Sequence, residues 1–234
     1  MKYFTEEWYH NTLISQMCFS LRKSNRATSL SDKFFEKLYN SEKSWYAKHL
    51  KRAAKFTRTP FDKTAAEAEF DQNYKDNLEF VKSLPDEITS KIADMRIFAL
   101  GTVSYEMADE LTRFCGKLNR ECESIQTEYE NSLDTLANEI GWTPINMLNA
   151  LPDAEIVSVT GESGASVITT GERKVALEGA DASSRLVGAR VIAFEVIKSD
   201  ENGKYCLGLL CEDAEGKLFD ENLFFSSINV DEIN

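Results

Sequence analysis

The feature that most constrains the fold is a change in the hydrophobic pattern near residue 150. Before it, apolar residues recur every three or four positions, which is the spacing of an amphipathic helix. After it, short β-branched and aromatic runs alternate with Gly, Asp, Asn and Ser clusters, a pattern typical of strands joined by tight turns. The sequence therefore predicts an α+β protein, with a helical region at residues 1–150 and a small β-sheet region at residues 151–234 packed against it.

The helical region is predicted to form an antiparallel bundle of five helices. Its last helix is the longest, because an apolar seam extends from Val103 to Ile140. Such a seam suits either an intermolecular coiled coil or the central helix of a bundle, and we favour the bundle. In the second helix the apolar stripe is interrupted at Asn40 and Ser41, which predicts a kink or a break. The other helices are expected at residues 5–21, from Ser31 onward, from Thr59-Pro60 to Pro85, and from Asp86 to about Gly101.

Six segments of the second region have the composition of strands. They are EIVSVT, ASVITT, RKVALE, ARVIAFEVI, KYCLGLLCE and LFFSSINV. Asn202-Gly203 and the turn at residues 214–216 separate neighbouring apolar runs, so both are predicted hairpin turns. The glycines at positions 161, 164 and 171 also lie between strands and not before a helix, which argues against a phosphate-binding loop. We expect three or four of these strands to form one mostly antiparallel sheet over the helices.

Charge is distributed unevenly along this acidic chain. The net charge is −12, but residues 22–63 carry twelve basic and four acidic side chains. The basic residues near the end of this segment are Lys48, Lys51, Arg52, Lys55 and Arg58. The interleaved aromatic residues Trp45, Tyr46 and Phe56 suit stacking on nucleic-acid bases, but they also match the stripe of an amphipathic helix. The following acidic regions offer nearer counter-charges, so we predict an internal or solvent-facing basic face and regard nucleic acid as an unlikely partner.

Four polar residues are candidates for a binding site. Asp94 and Arg96 lie in the apolar segment KIADMRIFALG, where buried charges need partners. Residues two apart on a helix point in different directions, so each is expected to find a separate partner in a structural network. The alternative is an enzyme with a carboxylate and arginine site where the helices meet the sheet, formed by Asp94, Arg96, Glu106 and Asp153. No catalytic residue is assigned.

The sequence predicts no metal site and no cofactor. The chain has two histidines, and one of them, His10, follows a glutamate by three residues, whereas a di-metal helical site requires two such Glu-x-x-His elements. The five cysteines lack the spacing of zinc ligands and are expected to be small buried hydrophobic residues in a reducing compartment. No apolar run approaches the length of a membrane span, and no secretory signal is visible. We therefore expect a cytoplasmic protein without a membrane partner.

Four segments together resemble a known family. They are MKYFTEEWY, LPDEITSKIADMRIFALG, LPDAEI and YCLGLLCEDAEGKLFDENLFFSSINV. They resemble the bacterial domain-of-unknown-function family 4085 over nearly the whole chain, most specifically from Ile92 to Gly101. The resemblance implies a bacterial cytosolic origin and no established activity. Pro152 stands where many relatives are expected to have His, which argues against acid–base chemistry at this turn.

These observations favour a non-enzymatic module for protein interaction or regulation. The segregated charge suggests a surface for another protein, and the sequence shows no catalytic pattern. An enzyme with the carboxylate and arginine site above is one alternative. A weak nucleic-acid binder that uses residues 22–63 is the other.

Overall fold

A computed structural model describes residues 1–17, 20–162, 165–199 and 204–233. Helices come first and antiparallel sheets follow, which confirms the α+β prediction. The chain divides into two compact units, residues 13–118 and residues 1–12 together with 119–234. The change from helices to strands falls near residue 150, as predicted, but the compact units divide the longest helix instead.

Seven α-helices are present in the described chain. They are α1 (Glu6–Met17), α2 (Asp32–Thr57), α3 (Lys63–Ser83), α4 (Asp86–Thr89), α5 (Met95–Ala99), α6 (Tyr105–Ile140) and α7 (Trp142–Leu148). The predicted long helix is α6, whose 36 residues extend over about 54 Å at a rise of about 1.5 Å per residue. Two short strands, β1 (Arg22–Lys23) and β2 (Thr102–Val103), pair in parallel.

Two predicted helix boundaries are wrong, and the predicted kink or break in α2 is not a break. The third helix begins at Lys63 and not at Pro60, because the Asp62 side chain caps it by accepting hydrogen bonds from the backbone N–H groups of residues 64 and 65. The predicted fourth helix is two short helices, α4 and α5, and Asp94 between them has extended backbone. The α2 helix continues through Asn40 and Ser41 without a break.

One apolar core holds the unit of residues 13–118 together. It contains the buried residues Ile14, Val81, Leu84, Ile88, Phe98, Ala99, Val103, Met107, Ala108, Leu111 and Leu118. The α2 helix contributes little to it, since Ala47 is its one buried residue. Instead α2 packs on α3 through aromatic rings, and the ring of Tyr39 lies 5.4 Å from Phe70 and 5.1 Å from Tyr74. This arrangement leaves the second half of α2 largely exposed.

The second unit contains two antiparallel sheets, where the sequence predicted one. The strands are β3 (Ile156–Glu162), β4 (Ala165–Thr170), β5 (Arg173–Glu178), β6 (Arg190–Lys198), β7 (Tyr205–Glu212), β8 (Leu218–Phe225) and β9 (Ser227–Glu232). One sheet has the order β3-β4-β5-β9 and the other β6-β7-β8. The segment LFFSSINV spans the end of β8, Ser226 and β9, so the chain crosses from one sheet to the other where one strand was predicted.

The predicted turns are consistent with this pairing. Gly216 has a φ of +80°, and Asp213 accepts the backbone N–H groups of residues 215 and 217 in the turn between β7 and β8. Gly171 lies between the paired strands β4 and β5. Gly161 belongs to β3, where it pairs with Ser166, and not to the predicted turn. Asn202-Gly203 and residues 163–164 lie outside the described residues, although the flanking strands are paired as hairpins require.

Both sheets and the nearby helices share the core of this unit. The β7 strand is buried from Tyr205 to Cys211, so both of its faces are covered. Ile145, Leu148 and Leu151 are also buried, and the last two belong to the same core cluster as the sheet residues. The segment after Gly141 is thus a packed part of this unit and not a flexible linker.

Cys115, Cys122, Cys206 and Cys211 are buried and unbridged, as expected of small hydrophobic residues. Burial raises the pKa of the Cys211 thiol to about 12. Cys18 lies outside the described residues. In the described part of the chain, no helix combines the length and the apolar character that crossing a bilayer requires.

Candidate functional sites

Asp94 and Arg96 bind each other directly, contrary to the prediction of separate partners. Asp94 precedes α5 in extended conformation, so its carboxylate accepts the Arg96 backbone N–H at 3.0 Å and caps the helix. The guanidinium of Arg96 folds back to the same carboxylate, with Nε at 3.0 Å and Nη2 at 2.9 Å. The prediction failed because it assumed that both residues were helical.

The pair belongs to a structural network at the start of α2. Arg96 also donates from Nη1 to Asp32 at 2.8 Å, and its guanidinium lies 4.8 Å from the ring centre of Phe35. Burial by itself raises the pKa of Asp94, but the hydrogen bonds from the Arg96 side chain and backbone outweigh this and hold the pKa below its usual value. Asp94 is therefore anchored as an anion, whereas a general base needs a pKa near the working pH.

The other two candidates belong to different compact units. Glu106 is exposed at the start of α6 and lines a small cavity of about 120 Å³ together with Asp94. Asp153 belongs to the other compact unit, where it lies 3.8 Å from Arg190. The described residues contain no group of three His, Cys, Asp or Glu side chains that could hold a metal ion.

The predicted basic face is a solvent-exposed surface on the second half of α2. Its five cations, Lys48, Lys51, Arg52, Lys55 and Arg58, are all exposed. In the described chain none of their side-chain nitrogens lies within 4.0 Å of a carboxylate oxygen. By contrast, Lys43, Lys63 and Lys91 of the same unit each form an ion pair. The sequence allowed pairing with acidic regions or exposure to solvent, and the described residues show exposure.

Two exposed aromatic side chains lie among these cations. Trp45 is 61% exposed and stacks on His49 with the ring centres 5.3 Å apart. Phe56 is 89% exposed, the highest exposure of any large apolar residue in the described chain. Positions 45, 49 and 56 share one helix face because they are separated by four and seven residues. We call this surface, formed by Trp45, His49, Phe56 and the five cations, the basic aromatic face.

A cationic groove adjoins the basic aromatic face. It has a volume of about 560 Å³ and is lined by α2 and the first residues of α3. Four lysines line it, namely Lys43, Lys48, Lys51 and Lys63, and Glu67 is the one acidic residue among its described lining. Tyr39, Ala47 and Phe61 form its apolar surface. We call this cavity the lysine groove.

One wall of the lysine groove is fixed by a hydrogen-bonded cluster. Lys43 Nζ lies 2.6 and 2.7 Å from the two carboxylate oxygens of Asp71, and the Tyr39 hydroxyl donates to the same carboxylate at 2.6 Å. The hydrogen bond from Lys43 lowers the pKa of Asp71 most, and the bond from Tyr39 lowers it further. Burial is the main cause that raises the pKa of Tyr39 to about 12, and the hydrogen bond to Asp71 adds to it. The wall therefore keeps one arrangement of charges near neutral pH.

A larger apolar groove lies elsewhere in the same unit. Its volume is about 700 Å³, and its walls include Met17, Phe70, Tyr74 and Phe98. Among its described lining residues the only formal charge is on Glu42, which binds Arg22 at 2.7 Å. The groove thus offers shape and apolar surface but no uncompensated charge that would select a ligand. No sequence pattern marked either groove, because both arise where separate helices meet.

A buried carboxylate holds the first residues of the chain. Glu195 on β6 is fully buried and accepts the backbone N–H groups of Lys2 at 2.5 Å, Tyr3 at 2.7 Å and Phe4 at 3.2 Å. No motif marks this site in the sequence, although a glutamate inside the apolar run ARVIAFEVI is a signal of a buried charge. Because three backbone donors satisfy the carboxylate, its role is structural.

No protein-family model, curated protein or solved structure matches this chain. The family resemblance drawn from the sequence therefore stays a prediction.

Proposed function

We propose that this protein is a non-enzymatic interaction module that binds an acidic segment of another protein through its basic aromatic face. The observation that carries the proposal is that five exposed cations without carboxylate partners in the described chain share the C-terminal part of α2 and its cap with the exposed rings of Trp45 and Phe56. Aromatic and arginine side chains contribute most of the energy at protein interfaces, and charges around them increase the association rate. The expected partner surface is acidic and carries apolar side chains that cover the two rings.

An acidic protein segment suits this face better than a nucleic acid. The five cations of the face lie within residues 48–58, in a chain whose net charge is −12. Charge interactions are screened beyond about 8–10 Å at physiological salt, which limits favourable contacts to a short partner segment. A folded or folding acidic peptide can also place apolar side chains on Trp45 and Phe56.

The experiment uses the full chain and a fluorescently labelled acidic amphipathic helical peptide, with affinity measured by anisotropy. We expect Arg52→Glu/Lys55→Glu and, separately, Trp45→Ala/Phe56→Ala to weaken binding at least about tenfold, equivalent to about 1.4 kcal/mol. The matched control is Lys33→Glu/Lys37→Glu, which makes the same charge change on exposed residues in the first half of α2. This control should change the affinity by less than about twofold, since surface charges far from a site act weakly.

Three results would overturn the proposal. The first is absence of peptide binding by the wild type at millimolar concentration. The second is an equal loss of affinity in the Lys33→Glu/Lys37→Glu control. The third is tighter binding of single-stranded or double-stranded oligonucleotides than of the peptide, with the steep salt dependence of phosphate contacts. Circular dichroism of every variant checks that the helices remain folded.

A further inference from the structure

We infer that the lysine groove is a binding site for a phosphate monoester whose organic part packs against Tyr39, Ala47 and Phe61. The groove shares Lys48 and Lys51 with the basic aromatic face, but it is concave and includes Tyr39, Ala47 and Phe61 in its lining. Its volume of about 560 Å³ lies within the range of about 300–1,000 Å³ that small-molecule sites occupy. The inference does not depend on the proposed protein partner.

The charge of the groove selects the class of ligand. Lys43 is compensated by Asp71 and Lys63 by Glu67, whose carboxylate lies 3.2 Å from the Lys63 ammonium. Lys48 and Lys51 have no carboxylate within 4.0 Å in the described chain, so the groove has two uncompensated positive charges. A phosphate monoester carries about −1.5 to −2 charges at pH 7, whereas a carboxylate or a phosphodiester carries one. The monoester is therefore the common biological group that best balances this excess.

The composition of the groove also requires more than an inorganic anion. Lysine binds phosphate as a point charge without the planar geometry that arginine imposes, so four lysines suit a group with several equivalent oxygens. The half-buried rings of Tyr39 and Phe61 would remain in contact with water around a small ion. Burying their apolar surface is favourable, so the groove favours a ligand with a planar or apolar body. The Tyr39–Asp71–Lys43 cluster holds this wall in place before the ligand arrives.

Isothermal titration calorimetry of the full chain tests the inference with four probes. They are adenosine monophosphate, cyclic adenosine monophosphate, adenosine and inorganic phosphate. We expect adenosine monophosphate to bind most tightly, because it combines two charges with a planar body. The cyclic phosphodiester keeps the ring and sugar but has one charge, so its affinity should be lower by about fivefold or more. Adenosine and inorganic phosphate should each bind more weakly still.

Matched variants separate a site from a general effect of net charge. Lys48→Gln/Lys51→Gln removes the two uncompensated groove charges and should weaken binding of adenosine monophosphate at least about tenfold. Lys33→Gln/Lys37→Gln removes two exposed charges from the first half of α2 that do not line the groove, so it should change the affinity less than about twofold. All four side chains are exposed, so neither variant should affect folding.

A second arm identifies the source of the phosphate. Vesicles with phosphatidic acid present a monoester headgroup, and pure phosphatidylcholine vesicles are the control. Binding of phosphatidic acid vesicles that requires Lys48 and Lys51 supports the same chemistry with a lipid source. Failure of both adenosine monophosphate and phosphatidic acid to bind would overturn the inference. Equal affinity for the monoester and the cyclic diester, or an equal loss in both double variants, would also overturn it.

Discussion

At the residue scale, the start of helix α5 decides which partners Asp94 and Arg96 have. The sequence correctly placed Asp94 and Arg96 in an apolar environment that demands partners. It assigned them separate partners because it extended one helix through both positions. In the structure Asp94 is 5% exposed and ends the preceding turn, so its carboxylate faces the first backbone N–H groups of α5 and the returning guanidinium. An aspartate side chain that caps a helix competes with continuation of the helix through that residue, and the spacing of apolar residues does not reveal such a cap.

We predict that Asp94→Asn lowers the free energy of unfolding by about 1–3 kcal/mol at pH 7, the usual range for a lost buried charge-assisted hydrogen bond. The asparagine oxygen can still cap α5, but it leaves Arg96 without its buried anion. Folding lowers the pKa of Asp94. The ionised carboxylate therefore stabilises the folded state fully at pH values above its unfolded pKa of about 3.9, and this stabilisation is lost as the pH falls through the folded pKa. The difference between wild type and variant should therefore shrink in acid.

Urea denaturation between pH 7 and pH 2 measures this difference. Asp32→Asn is the control, since Asp32 binds the same guanidinium but its side chain is 79% exposed. An exposed ion pair contributes about 0–1 kcal/mol, so this variant should be nearly neutral. Equal effects of the two substitutions, or a difference for Asp94→Asn that grows in acid, would contradict the structural account.

At the element scale, regular periodicity was sufficient for some parts of the fold and not for others. The seam from Val103 to Ile140 predicted α6 because burial recurs along its whole length, at Leu111, Leu118, Tyr129 and Leu136 among other positions. Strand positions were also readable, since β-branched runs and turn residues alternate. The pairing of strands into two sheets was not readable, because no Gly, Pro, Asn or Asp stands beside Ser226, where the chain changes sheets.

The candidate sites were less predictable than the elements. The cations of the basic aromatic face were visible as a run in the sequence, but their exposure depends on α2 contributing Ala47 alone to the buried interior. The lysine groove combines Lys48 and Lys51 with Phe61 and Lys63, which are brought together by the turn at Arg58. Arg58 has a left-handed φ of 57°, and residue composition does not identify such a turn.

Gly208 on β7 packs against Glu195, the residue that binds the backbone of residues 2–4. A Cβ on Gly208 would lie 3.0 Å from Glu195 Cγ and 3.1 Å from Met1 Cγ. The Glu195 side chain cannot retreat without losing its three backbone hydrogen bonds. We expect Gly208→Ala to lower the free energy of unfolding by about 1–3 kcal/mol, as overpacking usually does. We also expect faster hydrogen exchange at the amides of residues 2–4.

Gly161→Ala is the matched control for Gly208→Ala. Gly161 also lies in a strand, but an added Cβ there meets no atom within 4 Å. Its effect on stability should stay within about 0.5 kcal/mol, and exchange at residues 2–4 should not change. Hydrogen exchange by mass spectrometry, combined with urea denaturation, checks both variants. Unchanged protection of residues 2–4 in Gly208→Ala would show that the contact with Glu195 does not constrain position 208.

At the scale of the whole molecule, charge and burial have different distributions. Each compact unit has its own apolar core, so burial is spread over the entire described chain. Uncompensated positive charge is concentrated on α2 in one unit, within a chain of net charge −12. Stability is therefore a property of both units, whereas the proposed binding surfaces belong to one. Substitutions on the exposed half of α2 should alter binding and leave the cores unchanged.

The cysteines provide a test of burial in both units. Cys115 belongs to the unit of residues 13–118, while Cys122, Cys206 and Cys211 belong to the other unit. We predict that a Cys18→Ser variant reacts with a thiol reagent only as fast as the chain opens, because none of the four remaining thiols is more than 7% exposed. The high pKa that burial gives Cys211 further lowers its thiolate fraction at neutral pH. Mass spectrometry of the labelled peptides assigns each reaction to its unit. Denaturant should accelerate all four reactions, and rapid labelling of any one in native buffer would contradict the burial of that residue.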